Sequence, residues 1–310
     1  FMLNIGIIGY KNHAEKVKKI LEKKHKIKHI FHPKKKINLA NFTNNIKDLL
    51  NLNCIFIVSP SKSHFYYLDF LKKNKFKGYI FCEKPPVTNL NDLKKLSKFK
   101  NNKIYFNFNL RHSYINKYFK YNNLGNLLSL NIFDSKPLIY KHGLKKNWRM
   151  HVKDTLITNN LVHYLDLILF KYQVEINNIK LLTNKINNKF KIVDNIVTLF
   201  KIKKIIFNIN ISYASGIEKL YLFYFTNGKI EINDKFIKIY YPARVIDKNK
   251  NFLKPKLKKI VKIKKIFDDS NIQSINYFLN AAKKKINFSQ KEIDTSLKTN
   301  KLILDLSKKI

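Results

Sequence analysis

Two consecutive prolines, Pro85 and Pro86, end the apolar segment that most constrains the fold of this chain. Residues 79–82, just before Glu83, have the length and the aromatic and β-branched content of a buried strand. Because proline cannot donate a hydrogen bond to a neighbouring strand, the chain must leave the sheet here. Glu83 and Lys84 are therefore predicted at the carboxyl end of a strand, where open parallel sheets bind their ligands. Taken alone, such a charged pair more often marks the end of an edge strand than a ligand-binding site.

The length and composition of the chain limit the number of domains and the kind of protein that it can form. With 310 residues it is long enough for two domains, each with a core of its own. It contains no apolar run of about 18 residues or more and begins with no signal-peptide pattern, so we expect a soluble, cytoplasmic protein without a membrane partner. Its two cysteines, Cys54 and Cys82, both lie in apolar runs. We expect them to be reduced core residues, and we expect no metal site, which would need a denser cluster of ligands.

The formal net charge of +42, from 62 basic and 20 acidic residues, suggests nucleic-acid binding at first sight. However, only Arg111, Arg149 and Arg244 are arginine, the residue whose planar fork suits phosphates and guanine edges. The abundance of Lys, Asn, Ile, Phe and Tyr is typical of AT-rich codons, and the basic residues are then mainly solvated background. We therefore expect no specific nucleic-acid partner, although nonspecific binding at low salt would follow from the charge.

Short apolar runs alternate with helical patterns through the first third of the chain. The predicted strands are residues 3–8, 26–31, 54–58, 79–82 and 103–107. The predicted helices are one that begins after Gly9 and those over residues 41–50, 64–74 and 89–98. Strands that alternate with helices in this way predict a doubly wound parallel sheet.

The first predicted strand runs into Gly9-Tyr10-Lys11-Asn12-His13-Ala14. A strand, a glycine turn and a helix form the setting in which a helix N-terminus binds a pyrophosphate. Gly9 and the small residue Ala14 fit a dinucleotide fingerprint, but Lys11 stands where a second glycine would let the backbone approach the phosphate. On these residues alone, a strand–turn–helix without a ligand is equally consistent.

The second predicted strand is followed by His32-Pro33-Lys34-Lys35-Lys36 and by no acid. Sites that prefer NAD usually place an acid there to bind the ribose hydroxyls, whereas positive charge accommodates the 2′-phosphate of NADP. If the turn binds a dinucleotide, the sequence predicts NAD or NADP as the cofactor, with NADP slightly favoured.

After Gly125 the pattern changes to long alternating segments, which predict an antiparallel sheet with turns at Asn227-Gly228 and Asn233-Asp234. The segments are residues 175–186, 190–202, 204–214, 219–226 and 229–241. The last part of the chain is predicted to form a loop and a strand over residues 249–265, and two helices over 271–284 and 290–308.

A helical pattern with a wide apolar face begins near Thr158 or Asn159, either of which can cap it. Asn159 and His163 are four residues apart and are therefore predicted on one face of the helix. Alone, a histidine among apolar neighbours, as His163 is, is more often a core residue. Arg149, which follows Trp148 ahead of the helix, is equally suited to bind a carboxylate or phosphate and to pair with a surface acid.

Taken together, these motifs resemble the Gfo/Idh/MocA family of sugar and cyclitol oxidoreductases. The similarity rests on the strand-Gly-x-x-x-x-Ala turn, on Ser-Pro-x-x-x-His ending at His64, and on Glu83-Lys84-Pro85 further along the chain. Asn107-Phe108-Asn109-Leu110-Arg111-His112 resembles the family's strand-to-linker segment, and Leu124-Gly125-Asn126-Leu127 resembles the beginning of its second domain. His163-x-x-Asp166 resembles the family's helix, so in outline the similarity covers nearly the whole chain.

The resemblance implies an α/β fold with two domains. Residues 1–112 would form an N-terminal Rossmann domain with a doubly wound parallel sheet. Residues 113–310 would form a substrate-binding and oligomerisation α+β domain with a large, mostly antiparallel open sheet, and the C-terminal helices would be able to pack back on the first domain. The exposed face of the open sheet would form a homo-oligomer, a dimer or a tetramer, although the aromatic residues of 213–225 suit an ordinary core equally well.

The resemblance also implies roles for individual residues. Cofactor binding would involve Gly9, Tyr10, Lys11, Asn12, Ala14, Ser59, Pro60, His64, Glu83 and Lys84. Substrate binding would involve Lys84, Arg149, Asn159 and His163, and the catalytic residues would be Lys84, His163 and Asn159. On the helix that carries His163 the chain departs from the family, since Asn159 replaces an aspartate and Leu161 replaces a glycine. Asparagine can hydrogen-bond a sugar hydroxyl but cannot hold the negative charge that would raise the basicity of His163.

The reaction implied by the resemblance is hydride transfer between nicotinamide C4 and a secondary alcohol or its ketone. His163 would be the general acid and base, because an imidazole with a pKa near neutrality can take the proton that hydride removal leaves behind. Lys84 would hydrogen-bond the reacting oxygen and stabilise its developing charge. The substrate would be a sugar or a nucleotide sugar, since Trp148-Arg149 resembles members that act in surface polysaccharide synthesis.

Two other classes of function remain open on the sequence. Lys11, Asn159 and Leu161 stand at positions that are usually more constrained, so the chain is also consistent with a catalytically reduced member that binds a cofactor or a sugar. A nucleic-acid binder is the third class, and the presence of Lys84 and His163 argues against it.

Overall fold

The structure, a computed structural model, describes residues 2–33, 38–140 and 148–310. The chain divides into two compact units: the first comprises Phe1–Phe108 and Ile272–Leu304, and the second comprises Asn109–Asn271 and Asp305–Ile310. The predicted domains, residues 1–112 and 113–310, and the roles assigned to them stay predictions. Within the described ranges, no helix is both long and apolar enough to cross a membrane.

A six-stranded parallel sheet forms the centre of the first unit. Its strands are β1 (Asn4–Ile8), β2 (Lys26–Phe31), β3 (Phe42–Thr43), β4 (Cys54–Ile57), β5 (Tyr79–Glu83) and β6 (Ile104–Asn107). The helices between them are α1 (Asn12–Leu21), α2 (His64–Lys73) and α3 (Leu90–Leu96). The strand order β3-β2-β1-β4-β5-β6 changes direction between β1 and β4, the switch point at which doubly wound sheets bind ligands. The predicted doubly wound parallel sheet is confirmed.

An eight-stranded, mostly antiparallel sheet forms the second unit. Its strands are β7 (Leu127–Ser135), β8 (Lys180–Asn184), β9 (Asn195–Ile202), β10 (Ile205–Ser212), β11 (Glu218–Phe225), β12 (Gly228–Ile232), β13 (Phe236–Tyr240) and β14 (Leu257–Lys262). They lie in the order β14-β13-β12-β11-β7-β10-β9-β8, with β7 and β10 parallel to each other. Buried and exposed positions alternate along β9 to β13, as is usual for a sheet with one covered face. The predicted open antiparallel sheet is confirmed.

Three longer helices complete the chain. They are α4 (Val162–Tyr172), α5 (Ile266–Lys284) and α6 (Gln290–Ser307). A π-helical turn over Ile157–Leu161 leads into α4, and the N–H of Val162 donates to the carbonyl of Ile157. The predicted cap at Thr158 or Asn159 is therefore wrong, because both residues lie inside a continuous helical segment.

Aromatic side chains from the strands and from α5 fill the core of the first unit. The ring of Phe278 on α5 packs edge-to-face against Phe56 of β4 and Phe81 of β5, at centroid distances of 5.1 and 5.4 Å. Both strands are buried along their whole length, as expected of central parallel strands. Residues from the end of the chain therefore belong to the core that holds these strand ends in place.

The helix predicted over residues 41–50 is wrong. This segment forms the short edge strand β3 and a 3₁₀ turn over Ile46–Leu49. The side chain of Asn45 accepts a hydrogen bond from the N–H of Lys47 at 3.2 Å. Short polar side chains that bond the nearby backbone in this way favour turns over helices, which is the physical reason for the error.

A buried ion pair joins the start of the second unit to α4. Arg111 lies in the 3₁₀ turn Asn109–His112, and its Nε and Nη2 atoms donate to the two carboxylate oxygens of Asp166 at 2.7 and 2.6 Å. The two side chains are 2% and 1% exposed, and the guanidinium also lies over the ring of Phe170. This geometry requires the planar fork of arginine, a residue that is scarce in this chain.

We predict that Arg111→Ala and Asp166→Ala each lower the free energy of unfolding by about 3–5 kcal/mol, because either change leaves a buried charge without its partner. The double variant should lose less than the sum of the two single losses, as chemical denaturation would show. Lys73→Ala, which removes an exposed pair with Asp69, is the control and should cost less than about 1 kcal/mol. Strictly additive losses would contradict the pairing.

Candidate functional site

A glycine holds the turn after β1 close to the end of β4. Gly9 has a φ of +107°, and a Cβ atom added there would lie 2.9 Å from the carbonyl oxygen of Val58 and 3.0 Å from the backbone of Ser59. The N–H of Gly9 donates to the carbonyl of Phe31, at the end of β2, at 3.0 Å. Gly9 is therefore required both by its backbone conformation and by the close approach of a neighbouring strand end.

The rest of this turn carries four of the predicted cofactor-binding residues, Tyr10, Lys11, Asn12 and Ala14. Lys11 is the N-cap residue of α1 and has an extended backbone, with φ −138° and ψ 177°. Any residue adopts this conformation, so lysine causes no backbone strain where the fingerprint has glycine. Tyr10 packs against the core, Ala14 is buried within it, and Asn12 is exposed. The first N–H groups of α1 have no acceptor within the helix, the arrangement that binds a pyrophosphate.

His64 joins the loops that follow β4 and β5. Its Nδ1 atom lies 2.9 Å from the carbonyl oxygen of Pro85, and its Nε2 atom lies 2.8 Å from that of Ser59. The side chain is buried, and burial lowers the pKa of His64 although both carbonyls favour the protonated ring. The carbonyl of Pro60 accepts a hydrogen bond from the Ser63 hydroxyl at 2.8 Å. His64 thus holds together two loops that carry predicted site residues.

Glu83 is the centre of a buried hydrogen-bond cluster at the carboxyl end of β5. Its Oε1 atom lies 2.8 Å from His13 Nε2 and accepts a hydrogen bond from the Asn107 amide, also at 2.8 Å. The Ser274 hydroxyl donates to Asn107 Oδ1 at 2.7 Å and lies 2.6 Å from the Tyr105 hydroxyl. Side chains from α1, β6 and α5 therefore fix the Glu83 carboxylate.

The groups around Glu83 keep it ionised. Burial would raise the pKa of Glu83, but His13, Asn107 and Lys84 outweigh burial and leave this pKa below its usual value. In return, Glu83 raises the pKa of His13, against the effects of burial and of neighbouring lysines. Lys84 is partly buried, and its peptide bond to Pro85 is cis. The structure thus places Glu83 and Lys84 together at the end of a central strand.

In the second unit, His163 lies on α4 with its ring packed edge-to-face against Phe267, at a centroid distance of 5.3 Å. Asn159 lies in the π-helical turn and is partly buried, as His163 is. A π-helical turn contains more residues than an α-helical turn, so the direction of the Asn159 side chain differs from the one the predicted α-helix would give. Leu161 is fully buried at the end of the turn.

A buried carboxylate, Asp134, organises polar side chains beside this helix. Its Oδ2 atom accepts hydrogen bonds from the Tyr164 hydroxyl at 2.7 Å and from the Asn160 amide at 3.0 Å. Asn160 in turn accepts a hydrogen bond from the Tyr213 hydroxyl at 2.8 Å. The Lys219 ammonium lies 3.7 Å from Asp134 Oδ1. Burial lowers the pKa of Lys219, and Asp134 acts against this effect.

Sequence reasoning assigned no role to His13, Asp134 or Lys219. Asp134 and Lys219 occupy positions of β7 and β11 where the alternation otherwise places buried apolar residues, and this break in the pattern was a signal. Lys219 also lies 3.7 Å from the ring centroid of Phe267, the residue that His163 contacts. His13 gave no comparable signal, because its partner on β5 is 70 residues away in the sequence.

Part of the predicted site lies outside the described residues, namely the side chains of Trp148 and Arg149 and the lysines at 34–36. Asp166, which follows His163 in the predicted motif, is hydrogen-bonded to Arg111.

Among the residues that the structure does describe, no group of three or more His, Cys, Asp and Glu side chains is placed to hold a metal ion.

The first third of the chain is similar to a known protein family. Residues 3–105 match the model of a family described as an oxidoreductase family with an NAD-binding Rossmann fold. No curated protein matches the chain.

Several solved structures are similar to the chain over nearly its whole length. UDP-N-acetylglucosamine 3-dehydrogenase from Acidithiobacillus ferrooxidans has a TM-score of 0.76 and 14% identity, with 100% of this chain and 98% of that one covered. Myo-inositol 2-dehydrogenase from Lactobacillus plantarum has a TM-score of 0.74 and 17% identity, with 98% and 95% covered. An oxidoreductase from Agrobacterium radiobacter in complex with NAD+, L-tartaric acid and magnesium has a TM-score of 0.76 and 16% identity, with 98% and 94% covered. At these identities the similarity shows the fold.

We predict that Gly9→Ala lowers the free energy of unfolding by about 1–3 kcal/mol, because the new Cβ atom is strained at a positive φ and collides with the carbonyl of Val58. Gly216→Ala is the matched control, since no atom lies within 4 Å of its added Cβ. It should change the stability by less than about 0.5 kcal/mol. Equal unfolding midpoints in urea for the two variants would show that the turn is not constrained as described.

Proposed function

Since the chain belongs to the Gfo/Idh/MocA oxidoreductase family through its NAD-binding Rossmann domain, we propose that it transfers a hydride between a nicotinamide cofactor and a secondary alcohol or ketone of a sugar or nucleotide sugar. The predicted family and the predicted oxidoreductase class are confirmed. Two similar folds support the sugar class, those of a UDP-N-acetylglucosamine dehydrogenase and a myo-inositol dehydrogenase. The resemblance of Trp148-Arg149 supports a role in surface polysaccharide synthesis.

The observation that carries the proposal is the position of Lys84. It directly follows β5, whose neighbour β4 borders the switch point of the parallel sheet. The ionised Glu83 and the turn at Gly9 lie at the same edge of this sheet. A lysine at such a strand end can donate a hydrogen bond to an oxygen on which negative charge develops.

Each residue would then have a distinct task. A bound nicotinamide supplies the C4 atom that gives or takes the hydride. Lys84 would hydrogen-bond the reacting oxygen of the substrate, and His163 would take the alcohol proton in oxidation and return it in reduction. The turn at Gly9 would bind the pyrophosphate. Arg149 would bind a carboxylate or phosphate of the substrate, and Asn159 a hydroxyl.

Asn159 favours a second candidate function, that of a family member that binds a cofactor or a sugar with little turnover. An amide cannot supply the negative charge that raises the basicity of a neighbouring histidine. Leu161, buried where the family pattern has glycine, supports the same alternative. Lys11 does not, because its extended backbone accommodates a lysine without strain.

The family description gives NAD binding, and we propose a slight preference for NADP on the basis of the lysines at 34–36, which no acid accompanies. We also propose a cytoplasmic location. Cys54 and Cys82 are both buried free thiols, as is typical of proteins in a reducing compartment.

We further propose that the outer face of the eight-stranded sheet forms a dimer or tetramer of this chain. The strand registers place Leu199, Ile206 and Tyr224 on one face of the sheet. Ile206 of β10 and Tyr224 of β11 both pair with Ser129 of β7, and Leu199 of β9 pairs with Asn208, two residues along β10 from Ile206. These side chains are 42%, 50% and 38% exposed. Exposed apolar side chains collected on one sheet face are typical of a surface that is covered in an assembly.

Calorimetric titration with NADH and NADPH tests the proposed reaction, and we expect saturable binding of at least one of them. With a sugar or inositol substrate, Lys84→Ala and His163→Ala should each lower kcat by about 10²–10⁴-fold, because they remove charge stabilisation and proton transfer. Both variants should change the cofactor Kd far less than kcat. Lys77→Ala, at an exposed position two residues before β5, is the control and should keep full turnover.

Three other outcomes would change the assignment. Binding of neither cofactor would overturn the proposed function. Cofactor binding without turnover of any sugar or inositol would favour the second candidate. Unchanged turnover in Lys84→Ala or His163→Ala would remove that residue from the mechanism.

For the assembly, we predict that sedimentation equilibrium gives a mass of two or four times 36.9 kDa. Leu199→Lys combined with Ile206→Lys should shift the protein towards the monomer, because it places charge in the proposed interface. Ile217→Lys, at a position 82% exposed outside the strands, should leave the mass unchanged. A monomeric wild-type protein would refute this interface.

A further inference from the structure

His13 lies where the proposed phosphate-binding turn meets the end of β5. It is in the first turn of α1, two residues after the N-cap residue Lys11. Its Nε2 atom lies 2.8 Å from Oε1 of Glu83. The His13 side chain is 48% exposed and the Glu83 side chain 12%, so the imidazole is accessible to solvent while the carboxylate is mostly buried.

Two groups of opposite sign act on a phosphate that binds at the N-terminus of α1. The N-terminus of α1 attracts anions, and a pyrophosphate is the anion that a dinucleotide would bring. Glu83 opposes it, since a carboxylate that stays ionised repels a nearby phosphate. A positive charge paired with Glu83 removes this repulsion, and the side chain of His13 lies within hydrogen-bond distance to supply it.

We propose that His13 is a cofactor-binding residue whose protonated imidazole neutralises Glu83 at the phosphate-binding turn, so that the affinity for a nicotinamide dinucleotide depends on the protonation of His13. The inference rests on the proposed function, because it concerns the same cofactor. The task of His13 differs from that of Gly9, which gives the turn its shape.

The direction of the pH dependence follows from the groups around the ring. Glu83 raises the pKa of His13 above its ordinary 6.5, while burial, Lys84 and Lys16 oppose this rise. The pKa of Glu83 lies below its ordinary 4.5, and His64, the other histidine near it, has a pKa lowered by burial. The ion pair is therefore complete between the lowered pKa of Glu83 and the raised pKa of His13. The ion pair is lost as the pH rises through the pKa of His13, and the affinity for the cofactor should fall over the same pH range.

Calorimetric titration of the full chain with NAD⁺ from about pH 5.5 to about pH 9 tests the proposal. In the wild-type protein, Kd should rise about three- to tenfold across one transition, as expected for the loss of one charge near a phosphate. His13→Gln, which keeps a hydrogen-bonding side chain, should show the weaker affinity throughout and no transition. Glu83→Gln should move the transition to lower pH, because it removes the group that raises the pKa of His13.

Two further measurements separate this role from a purely structural one. Lys16→Gln removes one positive charge from the same helix, one turn further from its N-terminus. It should change Kd by less than about twofold and keep the transition. An NMR titration of the His13 ring without cofactor should give a pKa above 6.5 in the wild-type protein.

The possible failures can be told apart. A wild-type Kd that does not vary with pH, or a His13→Gln variant with the wild-type pH profile, would overturn the role of His13 and leave the proposed function standing. If neither NAD⁺ nor NADP⁺ binds at any pH, the proposed function fails, and the role of His13 fails with it.

Discussion

The buried carboxylate of Glu83 is the constraint on which the first unit depends. A charge taken out of water is costly unless donors and opposite charges surround it, so other parts of the chain must supply them. His13 and Asn107 do so, and Asn107 is held in turn by Ser274 on α5. One carboxylate therefore joins the glycine turn, the central strands and a closing helix, and it fixes the strand end from which Lys84 extends.

The same physical rule organises the second unit. Acids are scarce in this chain, with 20 against 62 basic residues, and Asp134 and Asp166 are two of the buried acids that have specific donors. Asp166 is bonded by both ends of the Arg111 fork, whereas Asp134 is bonded by Tyr164 and Asn160. The high net charge describes the surface of this protein, but the few buried carboxylates determine which side chains meet inside it.

Sequence patterns predicted the fold well where the information is local. The strand that ends at Glu83 follows from an apolar run and from the missing N–H groups of Pro85 and Pro86, and no distant contact is needed to infer it. The errors arose where side chains compete with the backbone or where packing selects a rarer helix. Asn45 turns the chain where a helix was predicted, and the π-helical turn carries the helix past the predicted cap at Asn159.

The sequence by itself determined the alternation of most strands and helices and the placement of Glu83 and Lys84 at a strand end. It did so because periodicity and proline chemistry act within a few residues. Only the tertiary structure decided that His13 meets Glu83 and that Asp134 meets Tyr164. The partners of a buried charge depend on strand order and register, which bring together residues far apart in the sequence, and no local pattern records them.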